Sequence, residues 1–95
     1  MANNYARGRS AEYRTLEILR RKDFVGHRSS GSHSPIDVFA GKNGKTLLIQ
    51  VKNGSANVSS KEREELSRWG KAFGAIVEVW RFCKRKRYRH RIFSP

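Results

Sequence analysis

Two short segments rich in apolar and β-branched residues, 36–40 and 45–52, lie on either side of the tetrapeptide Gly41-Lys42-Asn43-Gly44. Extended segments around a glycine- and asparagine-containing turn are typical of a β-hairpin. A hairpin constrains the chain strongly, because the register of its two strands decides which side chains share a face. The sequence therefore predicts a sheet that contains this hairpin.

The register of the hairpin follows from the turn. A symmetric turn places Ala40 opposite Lys45 and Asp37 opposite Leu48, which makes Asp37 and Gln50 diagonal neighbours. Side chains alternate between the faces of a strand, and directly opposed residues share a face. The residues predicted to share one face are Asp37, Leu48, Gln50 and Lys52, whereas Ile49 and Val51 point to the core on the other face.

The rest of the chain alternates helical and extended patterns. Ser59-Ser60-Lys61-Glu62 matches a capping box and predicts the start of a helix that runs to residue 73. The other predicted elements are a helix over 8–22, strands over 24–29 and 75–82, and an edge strand in the basic tail that ends in Ile92-Phe93. This order predicts one small α/β domain over residues 1–95, with a mixed central sheet flanked by helices and a basic C-terminal segment over 83–95.

Charge limits the kind of partner. Lysine and arginine total 21 against 8 acidic residues, which gives a formal net charge of +13. Such self-repulsion favours a polyanionic partner, and nucleic acid is the first choice. The single cysteine, Cys83, excludes an internal disulfide and a cysteine zinc cluster, and fits a cytoplasmic location. No segment has the length and apolar composition of a transmembrane helix, so no membrane partner is expected.

The predicted hairpin face carries groups suited to phosphodiester hydrolysis. Carboxylate and amide oxygens such as those of Asp37 and Gln50 are hard ligands that suit Mg²⁺ or Mn²⁺. Lys52 beside them can orient water or offset charge in the transition state. The alternative is a surface ion pair between Asp37 and Lys52 with no chemistry.

Glu12 is the second candidate carboxylate. It lies four residues before Leu16, on the same predicted helix face as Leu16 and Leu19, and this position points it inward. An exposed glutamate in the first turn, favoured by the helix dipole, explains the spacing equally well. Periodicity alone leaves both interpretations open.

These residues resemble the archaeal-type Holliday junction resolvases of the PD-(D/E)XK nuclease superfamily, in the same order and at similar spacings over nearly the whole chain. The resemblance implies a restriction-endonuclease-like fold. The segments that carry it are Tyr5-Ala6-Arg7-Gly8-Arg9-Ser10-Ala11-Glu12, Arg28-Ser29-Ser30-Gly31-Ser32, Pro35-Ile36-Asp37-Val38 and Leu48-Ile49-Gln50-Val51-Lys52.

The resemblance also implies roles for individual residues. Lys52 is the expected catalytic lysine, and the expected ligands of a Mg²⁺ ion, with Mn²⁺ as a substitute, are Glu12, Asp37, Gln50 and the backbone carbonyl of Val51. The expected DNA-binding residues are Arg7, Arg9, Arg14 and Arg28, together with Ser30 and Ser32 in the loop that reaches toward the cleaved strand.

Position 50 departs from the family pattern. These resolvases usually carry glutamate where this chain has Gln50, so the site offers two protein charges rather than three. An amide oxygen can still coordinate a cation, and other PD-(D/E)XK enzymes, similar to the Mrr-type restriction nucleases, carry the Gln-x-Lys form. We therefore expect a working site with weaker metal affinity.

The resemblance thus implies a Mg²⁺-dependent endonuclease that resolves four-way DNA junctions by paired symmetric nicks, acting as a homodimer without a small-molecule cofactor. Two alternatives remain open at this point. One is a nicking or restriction-type nuclease on duplex DNA, and the other is a basic nucleic-acid-binding module without catalysis. Divalent-ion-dependent cutting, and its preference for a junction over linear duplex, would separate the three.

Overall fold

The computed structural model describes residues 4–29, 33–55 and 57–95. The elements in these ranges are α1 (Asn4–Arg21), β1 (Val25–Arg28), β2 (Val38–Lys42), β3 (Lys45–Asn53), α2 (Ser60–Phe73), β4 (Ile76–Cys83) and β5 (Lys86–Phe93). The strands form one sheet in the order β1-β2-β3-β4-β5, antiparallel except for the parallel pair β3 and β4. The predicted mixed sheet with flanking helices is confirmed, as is the final edge strand. Within the described ranges, no helix is long and apolar enough to span a membrane.

The register of the hairpin differs from the prediction by two residues. Ala40 pairs with Leu47 rather than with Lys45, because the turn is the two-residue loop Asn43-Gly44, with φ of 52° and 77°. Such turns, with both central residues at positive φ, match the twist of antiparallel strands. A shift of two preserves which of the residues from Val38 to Lys42 share a face with which residues of β3. Asp37 lies before the first paired residue, and its N–H donates to the carbonyl of Ile49, so the register of the hairpin does not extend to it.

Helix α2 connects the parallel strands β3 and β4, and its ends are fixed locally. The Ser59 hydroxyl accepts a hydrogen bond from the Glu62 N–H at 3.1 Å, and the Glu62 carboxylate accepts one from the Ser59 N–H at 3.2 Å. The predicted capping box is therefore confirmed. At the other end, Gly74 adopts the left-handed conformation with φ of 60° and stops the helix.

Both faces of the sheet are buried by a helix. The cluster on the α1 side contains Ala11, Leu16, Leu19, Val38, Ala40, Leu47, Ile49, Trp80 and Phe82. The cluster on the α2 side contains Ile36, Leu48, Leu66, Ala75, Val77 and Val79, with Phe93 packed against it. Burial on both sides explains why residues 47–49 are continuously apolar rather than alternating. Trp80 is fully buried, so it belongs to the core.

Candidate active site

Asp37 is held by backbone hydrogen bonds between β1 and β3, just before β2 begins. Its N–H donates to the carbonyl of Ile49 and its carbonyl accepts from the N–H of Ser29, both at 2.8 Å. Its carboxylate accepts a hydrogen bond from the Val51 N–H at 2.7 Å. The side chain is therefore fixed beside the end of β3 that carries Gln50 and Lys52.

The pKa of Asp37 is raised from an ordinary 3.8 to about 6, chiefly by burial, although the hydrogen bond from Val51 opposes this rise. The charge of Glu12 contributes to the rise, and the charge of Lys52 opposes it. Two carboxylates and an ammonium group thus interact at one point of the sheet. A half-buried carboxylate with a raised pKa is stabilised in its ionised form by a bound cation.

The side chain of Gln50 contains a buried oxygen atom, Oε1, that is not hydrogen-bonded to any of the described residues. A buried acceptor without a partner costs about 1–3 kcal/mol. A cation bound between Gln50 and Asp37 would satisfy this oxygen, so the residues present fit a hard divalent metal ion.

Glu12 lies in α1 and is only partly exposed, at 18% of its side chain. It accepts a hydrogen bond from Arg28 Nε at 2.9 Å, and Arg28 also donates to the Tyr13 hydroxyl at 3.1 Å while lying over the Tyr13 ring. The inward orientation of Glu12 is thus observed. Arg28, predicted to bind phosphate, is paired with this carboxylate in the structure.

Lys52 is bound to a residue whose part in the site the sequence did not reveal. Its Nζ lies 2.8 Å from Oε2 of Glu62, and the lysine side chain is 19% exposed. The hydrogen bond from Lys52 lowers the pKa of Glu62, with a further contribution from the Ser59 N–H. The sequence assigned Glu62 only to the capping box, because its proximity to Lys52 depends on how α2 crosses the sheet.

The structure places Glu12 and Lys52 close enough to Asp37 for their charges to shift its pKa, and Gln50 immediately precedes the Val51 N–H that binds Asp37. Within the described ranges, no group of three or more His, Cys, Asp or Glu side chains is arranged to hold a metal ion. A metal here would therefore depend on the amide of Gln50 and a backbone carbonyl in addition to the two carboxylates.

The predicted DNA-binding residues are only partly placed. Arg9 and Arg14 are exposed on α1, and the guanidinium of Arg14 lies 4.9 Å from the centre of the Phe82 ring. The side chain of Arg7 and the residues Ser30 and Ser32 lie outside the described part of the structure.

The chain is similar to proteins of one known family. The family model described as "Archaeal holliday junction resolvase (hjc)" matches residues 3–95. The solved structure of Hjc, a Holliday junction resolvase from Archaeoglobus fulgidus, aligns with a TM-score of 0.77 at 27% identity, covering 90% of this chain and 73% of that one. The structure of SSO0001 aligns with a TM-score of 0.64 at 14% identity, covering 99% of this chain and 54% of that one, which indicates a shared fold only. Among curated proteins no sequence matches.

Proposed function

The chain belongs to the archaeal Holliday junction resolvase family, and we propose that it cuts four-way DNA junctions with a divalent metal ion bound at Asp37 and Gln50. A junction-resolving nuclease is the function of the family. The metal and the roles of individual residues are our proposal. The observation that carries it is the buried, unpartnered oxygen of Gln50 on the strand end beside the half-buried carboxylate of Asp37.

We assign the metal to four oxygen ligands. These are the carboxylates of Glu12 and Asp37, the side-chain oxygen of Gln50 and the backbone carbonyl of Val51. When bound, Mg²⁺ or Mn²⁺ would lower the pKa of the attacking water and offset the charge of the scissile phosphate. Glu12 would have to exchange its hydrogen bond with Arg28 for the metal, which would release the guanidinium toward a phosphate.

Lys52 is the proposed catalytic lysine. Its ammonium group offsets negative charge on the phosphate in the transition state, and such electrostatic stabilisation is worth several kcal/mol only when the donor is held in place. The ion pair with Glu62 restricts the long lysine side chain, and Glu62 is itself anchored at the start of α2 by Ser59. The lysine is thus oriented before substrate arrives.

DNA binding and assembly complete the proposal. The net charge of +13 supports binding to phosphates, with Arg7, Arg9, Arg14, Arg28, Ser30 and Ser32 as the assigned contacts. We infer a homodimer in the cytoplasm, since two sites related by a two-fold axis would cut two strands of a nearly two-fold junction. Phe73 is 61% exposed and stacks on Trp69 on α2, and a second copy could cover this aromatic surface.

The substitution Asp37→Asn tests the assignment. Asparagine keeps an acceptor for the Val51 N–H but removes the charge that binds the metal, so cutting should be lost while junction affinity is unchanged or higher. Cutting is followed on a labelled four-way junction with Mg²⁺, and binding is measured in EDTA. The control is Asp23→Asn, which changes the other aspartate of the chain, exposed in the turn after α1. Cutting that survives Asp37→Asn would refute the proposed site.

A further inference from the structure

Three arginines of β5 point to the α1 side of the sheet. Arg87, Arg89 and Arg91 pair with Phe82, Trp80 and Glu78 of β4, and directly opposed residues share a face. We call these three residues the arginine row. Their neighbours on the strand, such as Tyr88 and His90, point to the α2 side instead.

The arginine row covers an aromatic surface that α1 leaves open. Helix α1 packs mainly on β1, β2 and β3, whereas α2 contacts β4 and β5 from the opposite side. The guanidinium carbons of Arg87 and Arg89 lie 5.1 and 4.8 Å from the centre of the Trp80 ring system. Charged groups therefore occupy the position over β4 that a helix occupies over β3.

A buried carboxylate fixes two members of the row. Glu78 is 3% exposed, and each of its oxygens accepts two hydrogen bonds from one arginine, Oε1 from Arg89 and Oε2 from Arg91, at 3.0–3.2 Å. Trp80 Nε1 donates to Oε1 at 2.9 Å. Burial alone would raise the pKa of Glu78, but the hydrogen bonds from Trp80 and the two arginines outweigh it and lower the pKa. One carboxylate orients two guanidinium groups, and one positive charge is left over.

The row remains accessible and extends a basic surface. The side chains of Arg89 and Arg91 are 37% and 56% exposed. Both line a cleft of about 320 Å³ that Lys42 and Lys45 also border. At its other end, Arg87 is level with Phe82 and hence with Asn53 on β3. The side chain of the preceding residue, Lys52, points to the other face, where it binds Glu62 of α2. Two strand spacings, about 10 Å, separate β5 from β3.

We propose that the arginine row binds the phosphodiester backbone of a junction arm. Arginine suits this role because its planar guanidinium group pairs with two phosphate oxygens at once. The contacts would be independent of base sequence, as recognition of a junction by shape requires. This inference rests on the proposed function, since it takes four-way junction DNA as the substrate.

The competing explanation is that the arginines only shield Trp80 and Phe82 from water, as long cationic side chains commonly do. Salt dependence separates the two explanations. Each phosphate contact contributes about 0.9 to the slope of log affinity against log salt concentration, whereas shielding contributes nothing to that slope. The informative variants therefore remove charge from the row and are compared with variants that remove the same charge elsewhere.

The experiment measures the affinity of the full chain for a synthetic four-way junction in EDTA at several salt concentrations. The double variant Arg87→Gln with Arg91→Gln should bind more weakly, and the magnitude of its slope of log affinity against log salt concentration should fall by about 1.8, the value for two lost phosphate contacts. The control, Arg68→Gln with Lys71→Gln, removes two charges from α2 on the other side of the sheet and should leave the slope nearly unchanged. Because the first pair removes a partner of Glu78, Arg87→Gln alone is also tested, with an expected slope change of about 0.9.

Equal slopes for the arginine-row pair and the α2 pair, with normal binding by the unmodified protein, would overturn this inference and leave the proposed nuclease intact. If the unmodified protein binds junction DNA no better than linear duplex, the substrate assignment fails and the inference fails with it. If the slope of log affinity against log salt concentration falls only in the arginine-row variants, the proposed contact between the row and the DNA phosphates is supported. Melting curves of each variant establish that the comparison is made between folded proteins.

Discussion

Removing the charge of Asp37 should stabilise the protein when no metal is present. The carboxyl titrates at about 6 in the folded chain, chiefly because of burial, and near its ordinary 3.8 when the chain unfolds. A raised pKa in the folded state means that stability is fully present below the unfolded value and is lost as the pH rises through 6. Since Asp37 is only half-buried, solvent screening limits the cost of ionising it to about 1–2 kcal/mol at pH 8.

Asp37→Asn avoids this cost and retains an oxygen for the Val51 N–H, so we expect it to be more stable than the unmodified protein by about 1–2 kcal/mol at pH 8. Urea unfolding in EDTA between pH 4 and pH 8 measures the difference, which should shrink as the pH falls from 6 to 4. Added Mg²⁺ should raise the stability of the unmodified protein much more than that of the variant, because only the former retains the negative charge at position 37. Equal or lower stability of the variant at pH 8 would refute the electrostatic account of this residue.

Three further substitutions probe the site and the fold. Gln50→Glu adds a third carboxylate, and the Mg²⁺ concentration for half-maximal cutting should fall about tenfold, as measured by metal titration; an unchanged requirement would mean that position 50 is not a ligand. Glu62→Gln keeps a capping-box residue but removes the charge that holds Lys52, so single-turnover cutting should slow about tenfold with unchanged junction affinity, and an unchanged rate would contradict the positioning role. Gly26→Ala places a methyl group against a backbone carbonyl oxygen of β2 and should cost about 2 kcal/mol in thermal unfolding, whereas Gly41→Ala, with only an ordinary contact, should cost much less.

Sequence patterns predicted the helices and strands well, because these elements are determined by interactions between residues that are close in sequence. The capping box at Ser59 and Glu62 and the alternating faces of the hairpin depend on residues a few positions apart, and both are present. The register was wrong by two residues because Asn43-Gly44 forms a two-residue turn, which a symmetric four-residue loop does not anticipate. Because the error was even, the residues of β2 kept their predicted faces, but Asp37 lies outside the paired strand, so its predicted face shared with Gln50 and Lys52 does not follow from the register.

Two features of the molecule were not predicted from the sequence, because they depend on contacts between distant elements. The pairing of Lys52 with Glu62 and the burial of Glu78 under two arginines join residues on separate elements, so they depend on the packing of the whole sheet. Glu78 follows Val77 and precedes Val79 in an apolar strand, a context in which a lone carboxylate would be expensive to bury. Its arginine partners come from the basic tail, whose charge had indicated only affinity for polyanions.

The most direct test of the account is the product of one reaction. The purified protein is incubated with a labelled four-way junction, and in parallel with linear duplex of the same sequence, in the presence of Mg²⁺, Mn²⁺ or EDTA. Paired nicks placed symmetrically on two strands of the junction, absent from the duplex and abolished by EDTA, are the predicted result. Binding to the junction with no cutting in either metal would contradict the account, because Gln50 would then fail to complete a working metal site.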